Sequence, residues 1–145
     1  MRTRVMAAAV LGLVLAAQTA HAEEPWPGRA ELAVTRMLRS KGGVNIARSI
    51  QHIAHPTGSD ADLTNFDNKV LNNETIQVTM LVTWTGGFGG SHLITVRWTF
   101  DRLAHRRAVV VNDDAPIAIS AKNALALDAY FRDEVYPGVR QAAGN

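Results

Sequence analysis

The segment from Ile76 to Phe100 reads IQVTMLVTWTGGFGGSHLITVRWTF, with two alternating apolar runs on either side of a glycine-rich centre. Side chains alternate between the two faces of a β-strand, so each run places its apolar residues on one side. The segment therefore predicts a β-hairpin whose loop runs from Gly86 to Gly90. The apolar positions are Ile76, Val78, Met80, Val82 and Trp84 in the first run and His92, Ile94, Val96, Trp98 and Phe100 in the second.

The register of this hairpin follows from the same pattern, because a slip of one residue would turn every apolar side chain to the opposite face. Pairing Thr85 with Ser91 sets Trp84 against His92, and both apolar faces then coincide. The other face is mostly polar, so we expect it to meet water or a partner rather than a core. It carries Gln77, Thr79, Thr83, Thr85, Thr95, Arg97 and Thr99, with Leu81 and Leu93 as its apolar members.

Residues 1–22 have the pattern of a cleavable secretory signal peptide. Arg2 and Arg4 precede an apolar run from Val5 to Ala17, and small residues surround the predicted cleavage after Ala22. We therefore expect the mature chain, residues 23–145, to be a single domain that is periplasmic or secreted. The apolar run is short for a membrane span, and we expect no span later in the chain.

Charge and cysteine content restrict the function further. Two of the basic residues, Arg2 and Arg4, belong to the predicted signal, so the mature chain has equal numbers of basic and acidic residues. The sequence has no row of basic residues that could contact successive phosphates of a nucleic acid, and we expect no nucleic-acid partner. The chain has no cysteine, so its stability has to come from the core without disulfides.

The start of the mature chain predicts an arm followed by a helix. Pro25 and Pro27 are expected to keep the arm from Glu23 to Gly28 out of helical structure. A helix is predicted for Arg29 to Lys41, since its apolar residues recur at helical spacing. The glycine pair at positions 42–43 is predicted to end this helix in a left-handed C-cap.

The next two segments lead into the hairpin. Val44 to Ile53 is ambiguous, because its isoleucine spacing suits a helix while its β-branched residues suit a strand. We favour a short helix that runs into an edge strand. Leu63 to Leu71 predicts a strand joined to the hairpin by a turn at Asn72 to Glu74, with Val70 set against Ile76.

The chain after the hairpin predicts one more strand and one more helix. Asp101 to Arg106 is expected to turn the chain and Arg107 to Asn112 to form the strand. Ser120 is predicted to cap a helix from Ala121 to Tyr136, with proline and glycine at 137–138 as its end. The predicted fold class is α+β: an antiparallel β-meander of about four strands, with an N-terminal helix or helices and a C-terminal helix packed on its apolar face.

The glycine-rich loop places one aromatic residue, Phe88, at its tip. The ordinary interpretation is that the glycines permit a tight turn and that Phe88 folds back onto Trp84. The functional hypothesis is that the loop is mobile and that an exposed Phe88 contacts a ligand or partner. The loop is not a phosphate-binding loop, because no Lys and Ser/Thr follow and no helix begins there.

Histidines raise the possibility of a metal site. His52 and His55 would share a helix face at their spacing, and His92 lies at the mouth of the hairpin. No carboxylate spacing completes a ligand set, so the ordinary interpretation is solvent-exposed or singly hydrogen-bonded histidines. We expect no metal and no cofactor.

Two acidic groups are weaker candidates. Residues 60–64 have the spacing that opens a calcium loop, but the turn glycine is missing and Leu71 stands where the bidentate glutamate belongs. Asp113 and Asp114 are adjacent, so on a strand they would face opposite ways and could not share a proton as a catalytic pair. We expect them only to end a strand and to solvate the approach to the last helix.

The function that these patterns favour is a small exported binding or accessory protein that does not catalyse a reaction and whose ligand or protein partner is unknown. The predicted binding residues are Trp84, Phe88 and His92. The alternative is a small enzyme with a pocket near the Gly86 to Gly90 loop and His92, although no nucleophile motif is present. An enzyme needs a titratable group in a concave site, whereas a binding module needs only an exposed apolar patch.

Overall fold

One antiparallel sheet and four helices make up the structure, a computed structural model that describes residues 24–144, with Ser59 and Asp60 described by their backbone alone. The predicted signal peptide lies outside the described residues. The strands are β1 (Ser59–Asn72), β2 (Thr75–Thr85), β3 (Ser91–Asp101) and β4 (His105–Asp113), in the spatial order β1-β2-β3-β4. The helices are α1 (Trp26–Arg39), α2 (Lys41–Ala54), α3 (Ala121–Tyr130) and α4 (Tyr136–Ala143).

The central hairpin has the predicted register. Trp84 lies opposite His92 and Thr85 lies opposite Ser91 along β2 and β3. The preceding hairpin also pairs as predicted, with Val70 opposite Ile76. The α+β meander is therefore confirmed, and the two outer strands are each longer than the sequence pattern indicated.

The core lies on the apolar face of the meander, under the helices. Every apolar residue on that face of β2 and β3 is buried apart from His92, which is partly exposed. Helix α3 and the turn after it contribute Leu127 and Phe131, both fully buried. Burial of apolar area at about 25 cal/mol per Å² makes this face the main source of stability.

The prediction that two prolines keep the N-terminal arm out of helix was wrong. Pro25 takes the N-cap position of α1, and Pro27 lies in its first turn. Backbone N–H groups there have no partner inside a helix, so proline loses nothing and its fixed φ suits the helix. The helix therefore begins at Trp26, whose side chain is buried against Phe100.

The glycine pair at 42–43 does not form the predicted left-handed cap. Ser40 separates α1 from α2: its hydroxyl donates to Met37 O (2.7 Å) and accepts from Gly42 N–H (3.1 Å). Gly43 lies in the first turn of α2, where a Cβ would stand 2.0 Å from Leu38 O. Glycine is required at position 43 for close helix contact, and the ambiguous segment after it is helical as we favoured.

The last helix does not stop at the proline and glycine of positions 137–138. The chain continues through a π-helical turn, Phe131–Val135, into α4, which ends at Ala143. The N–H of Tyr136 reaches back to Phe131 O, one residue further than in an α-helix. This wider turn lets the helical path continue into Pro137, which would otherwise clash with the preceding turn. No helix within residues 24–144 is long and apolar enough to cross a membrane.

Candidate binding cleft

A cleft of about 280 Å³ lies at the end of the sheet where β2 turns into β3. Three segments form it: the glycine-rich loop, the segment that follows α2, and the segment that follows β4. All three predicted binding residues line it. Its walls are His55, Thr57, Trp84, Gly86, Gly87, Phe88, Gly89, His92, Ala115, Pro116 and Ile117.

Trp84 forms the floor of the cleft rather than an exposed contact. Only 3% of its surface is exposed. The His55 ring stacks on the indole at a centroid distance of 5.4 Å and an interplanar angle of 17°, and His92 lies at 5.6 Å with a tilt of 48°. The hairpin register brings His92 to Trp84, whereas His55 comes from a distant segment.

A contact with a carboxylate fixes the position of the His55 ring. Its Nε2 lies 2.7 Å from Asp113 Oδ2, and both side chains are largely buried. A carboxylate only accepts hydrogen bonds, so Nε2 carries the proton and Nδ1 keeps the lone pair in the neutral imidazole. The other carboxylate oxygen of Asp113 accepts the N–H of Ala115 (3.0 Å), which fixes the adjoining wall of the cleft.

His92 has a looser carboxylate neighbour. Its Nδ1 lies 3.7 Å from Asp114 Oδ1, beyond hydrogen-bond distance. Asp114 is itself anchored to β3, because its Oδ1 accepts the N–H of Leu93 (2.6 Å) and its N–H donates to Leu93 O (3.0 Å). The Asp114 carboxylate is therefore positioned by backbone bonds rather than by the histidine.

Asp113 ends β4 as predicted, but the two aspartates do more than end a strand. Each carboxylate lies beside a different histidine of the cleft, and the two histidines belong to different elements. Sequence reasoning missed the His55–Asp113 pair because the two residues are far apart along the chain. The two adjacent aspartates at the end of an apolar strand were the only feature of the sequence that could have pointed to this pair.

The glycine-rich loop is closed by its own backbone. Gly86 N–H donates to Gly90 O (2.9 Å), and Gly89 N–H donates to Gly86 O (3.0 Å). Gly89 and Gly90 adopt φ of +86° and +83°, values that favour glycine. A Cβ on Gly86 would stand 2.7 Å from His92 Nε2, so glycine there also leaves room for the imidazole.

Phe88 is fully exposed at the tip of this loop, with a relative exposure of 109%. The interpretation that it folds back onto Trp84 was therefore wrong. Ile117, which also lines the cleft, is 80% exposed and follows Pro116. Two large apolar side chains from separate loops thus line one cleft, and the sequence analysis assigned no role to the second.

The structure does not bring together the three histidines that were considered as metal ligands. His52 is exposed on α2 and does not line the cleft. Within residues 24–144, no group of three His, Asp or Glu side chains could hold a metal ion. Residues 60–64 lie in the extended strand β1 rather than in a loop.

A larger cleft, of about 560 Å³, lies between α1 and α4. The guanidinium of Arg29 at its edge bonds to the carbonyl oxygens of Glu24, Ala143 and Gly144. These bonds tie the first described turn to the last helix. Arg29 therefore has a structural role, and the aromatic and imidazole groups of the smaller cleft make it the better candidate for binding.

Comparison with known proteins adds no family. The chain matches no protein-family model, no curated protein and no solved structure.

Proposed function

We propose that this chain is a small exported binding or accessory protein that does not catalyse a reaction, and that its cleft holds an apolar group of a ligand. The exposure of Phe88 and Ile117, which line one cleft together with the buried Trp84, is the observation that supports this most. Exposed large apolar side chains gathered at one concave place are typical of interaction sites.

The size of the cleft limits what it holds. At about 280 Å³ it lies near the lower end of small-molecule sites. It suits a single ring or a short branched chain, either free or as part of a larger molecule. The backbone of the glycine loop adds no bulky side chains, so such a group reaches both Phe88 and the Trp84 floor.

The second candidate is a small pocket enzyme, and the His55–Asp113 pair is the observation that favours it. A carboxylate that orients an imidazole is a feature of general-base sites. The binding proposal needs only the exposed apolar groups already described, whereas catalysis would need a reacting partner for the imidazole. We therefore prefer the binding function.

The test is a titration of isotope-labelled protein with 2-phenylethanol, a neutral probe with one ring, followed by amide chemical shifts. We expect the largest shifts in residues 86–92 and 115–117. Phe88→Ala should weaken binding by about fivefold or more, since aromatic anchors often dominate contact energy. Leu103→Ala is the matched control, because Leu103 is also a large exposed apolar residue but lies in the turn at the other end of the sheet.

Two results would overturn the proposed site. Shifts confined to the cleft between α1 and α4 would move the site to that end of the molecule. An equal loss of affinity in the Phe88 and Leu103 variants would show general surface adsorption instead of a defined cleft.

Export is tested separately from binding. If residues 1–22 are a cleaved signal, the exported protein should begin at Glu23. N-terminal sequencing of protein recovered from outside the cytoplasm measures this directly. A chain that still begins at Met1, or that stays in the membrane fraction, would contradict the signal-peptide prediction.

A further inference from the structure

We propose that the ligand of this cleft is an organic cation, an ammonium or related group joined to one apolar ring or chain. This inference rests on the proposed binding function and adds the charge of the ligand to it. Three features of the cleft support it: the carboxylates beside its histidines, the exposed ring of Phe88 and the imidazole of His55.

The carboxylates of Asp113 and Asp114 give the cleft a negative field. Each lies beside a histidine that lines the cleft: Asp113, which is largely buried, is 2.7 Å from His55, and Asp114, whose side chain is 52% exposed, is 3.7 Å from His92. No Lys or Arg is among the described residues that line the walls, so no fixed positive charge of the lining opposes the two carboxylates. A positive group in the cleft is attracted by this field, and a negative group is repelled.

The aromatic wall favours the same sign of charge. The ring of Phe88 is fully exposed, so either of its faces is open to a bound group. A cation over an aromatic face is attracted by the negative face of the ring, an interaction that a carboxylate cannot make.

The hydrogen-bonding groups are consistent with a donor on the ligand. The tautomer of His55 that fits its contact with Asp113 has the proton on Nε2 and a lone pair on Nδ1, and His55 is among the residues that line the cleft. An ammonium N–H can donate to such a nitrogen, whereas an anionic ligand would oppose lone pair to lone pair. The charge, the ring and the acceptor therefore agree on a cationic ligand.

The test compares three probes that share a phenyl ring and a two-carbon spacer: 2-phenylethylammonium, 2-phenylethanol and 3-phenylpropanoate. We expect the cation to bind roughly tenfold more tightly than the alcohol at low salt and the anion to bind more weakly than either. Added salt should narrow the gap between cation and alcohol. Dissociation constants from amide shifts of residues 86–92 measure all three.

A charge-removing variant links the preference to its source. In Asp114→Asn the amide oxygen can still accept the Leu93 N–H, so the local structure is kept while one charge is lost. The affinity for the cation should fall by about threefold while that for the alcohol stays unchanged. Asp133→Asn is the matched control, because Asp133 is exposed, pairs with Arg132 in the π-helical turn and does not line the cleft.

The results of these titrations distinguish a failure of the cationic-ligand inference from a failure of the proposed binding function. If the alcohol binds in the cleft and the cation binds no better, or if the anion binds best, the cation inference fails while the binding function stands. If none of the three probes shifts the cleft residues at millimolar concentration, both fail. An equal effect of the Asp114 and Asp133 variants would reject the local carboxylate as the source of the preference.

Discussion

Two tryptophans lie on the same face of the central hairpin, one near each end, and each lies beside a histidine that has an aspartate partner. At one end, Trp98 Nε1–H donates to His105 Nδ1 (2.9 Å), and His105 Nε2 lies 2.8 Å from Asp128 Oδ1. At the other end, Trp84 lies between His55 and His92. The residues around Trp98 are buried in the core, whereas Trp84 and its two histidines line the cleft.

The elements that cover each tryptophan explain the difference. The π-helical turn packs over Trp98, with the Phe131 ring at 5.2 Å, and Phe100 stacks on the indole at 4.3 Å. The side chain of His105 is 4% exposed, and both of its ring nitrogens have partners, so the ring is fixed in one orientation. Loops form the walls over Trp84. A tryptophan and a histidine covered by helical structure therefore belong to the core. The same pair of residue types covered by loops lines a cleft.

The largest expected effect is at the Trp98 end of the hairpin. Trp98→Ala should lower the free energy of unfolding by about 3 to 5 kcal/mol, because it leaves a large cavity in a region that cannot collapse easily. Arg97→Ala, which changes the neighbouring residue on the opposite face, should cost less than about 1 kcal/mol. Urea melts of the two variants measure the difference. Equal losses would contradict the assignment of the buried face.

The next effect tests the hydrogen bonds that close this end. Asp128→Ala removes the acceptor for His105 and for the N–H of Ala108, which donates to the same oxygen at 2.7 Å. The side chain of Asp128 is 32% exposed, so water replaces part of the loss, and we expect about 1 to 2 kcal/mol. Asp133→Ala, at an exposed site close by, is the control and should unfold at the wild-type urea midpoint. If it matches Asp128→Ala, the bonds to His105 and Ala108 contribute little.

A smaller effect should appear at alkaline pH. Tyr136 donates its hydroxyl to Asp101 O (2.9 Å), and burial raises the pKa of its phenol. Because the pKa of this phenol is higher in the folded state, its contribution to stability is fully present below the pKa of the unfolded state, about 10. That contribution is lost as the pH rises through the pKa of the folded state. Tyr136→Phe should therefore lose less stability than wild type between about pH 9 and about pH 11. Urea melts at both pH values measure this.

Tyr130 supplies the comparison for that experiment. Burial raises the pKa of Tyr130 as well, against a lowering by its hydrogen bond to Ser49, so part of the alkaline loss remains in the Tyr136 variant. The double variant with Tyr130→Phe should lose least. Identical slopes in wild type and double variant would show that neither phenol controls stability in this range.

The smallest effect should be at the Trp84 end of the hairpin. Phe88→Ala should change the free energy of unfolding by less than about 0.5 kcal/mol, because a fully exposed ring buries little area. Leu103→Ala should behave alike. A loss above about 1 kcal/mol in the Phe88 variant alone would mean that the ring covers Trp84 in solution and that the two ends differ less than described.

Predictions from sequence succeeded where short-range pattern and burial agree. Alternation along β2 and β3 determines both the faces and the register, because a slip would expose every apolar residue of the hairpin. The register alone brings Trp84 and His92 together and places Phe88 at the loop tip. Those three predicted binding residues do share one cleft.

Predictions failed where one local signal was given too much weight. Pro25 and Pro27 are tolerated because the first turn of a helix needs no N–H donors, and Pro137 is accommodated by a π-helical turn. Gly43 serves close contact with α1 rather than a helix end. A residue that often stops a helix has this effect only if the surrounding packing offers no alternative.

The amino-acid sequence by itself determined the meander, its buried face and the position of the glycine loop, since each depends on neighbours along one hairpin. Only the tertiary structure decided that His55 pairs with Asp113, that Ile117 and Phe88 line the same cleft, and that Trp98 is enclosed in the core while Trp84 borders a cleft. These contacts join segments far apart in the chain. They depend on how helices and loops pack over the sheet, which local periodicity does not record.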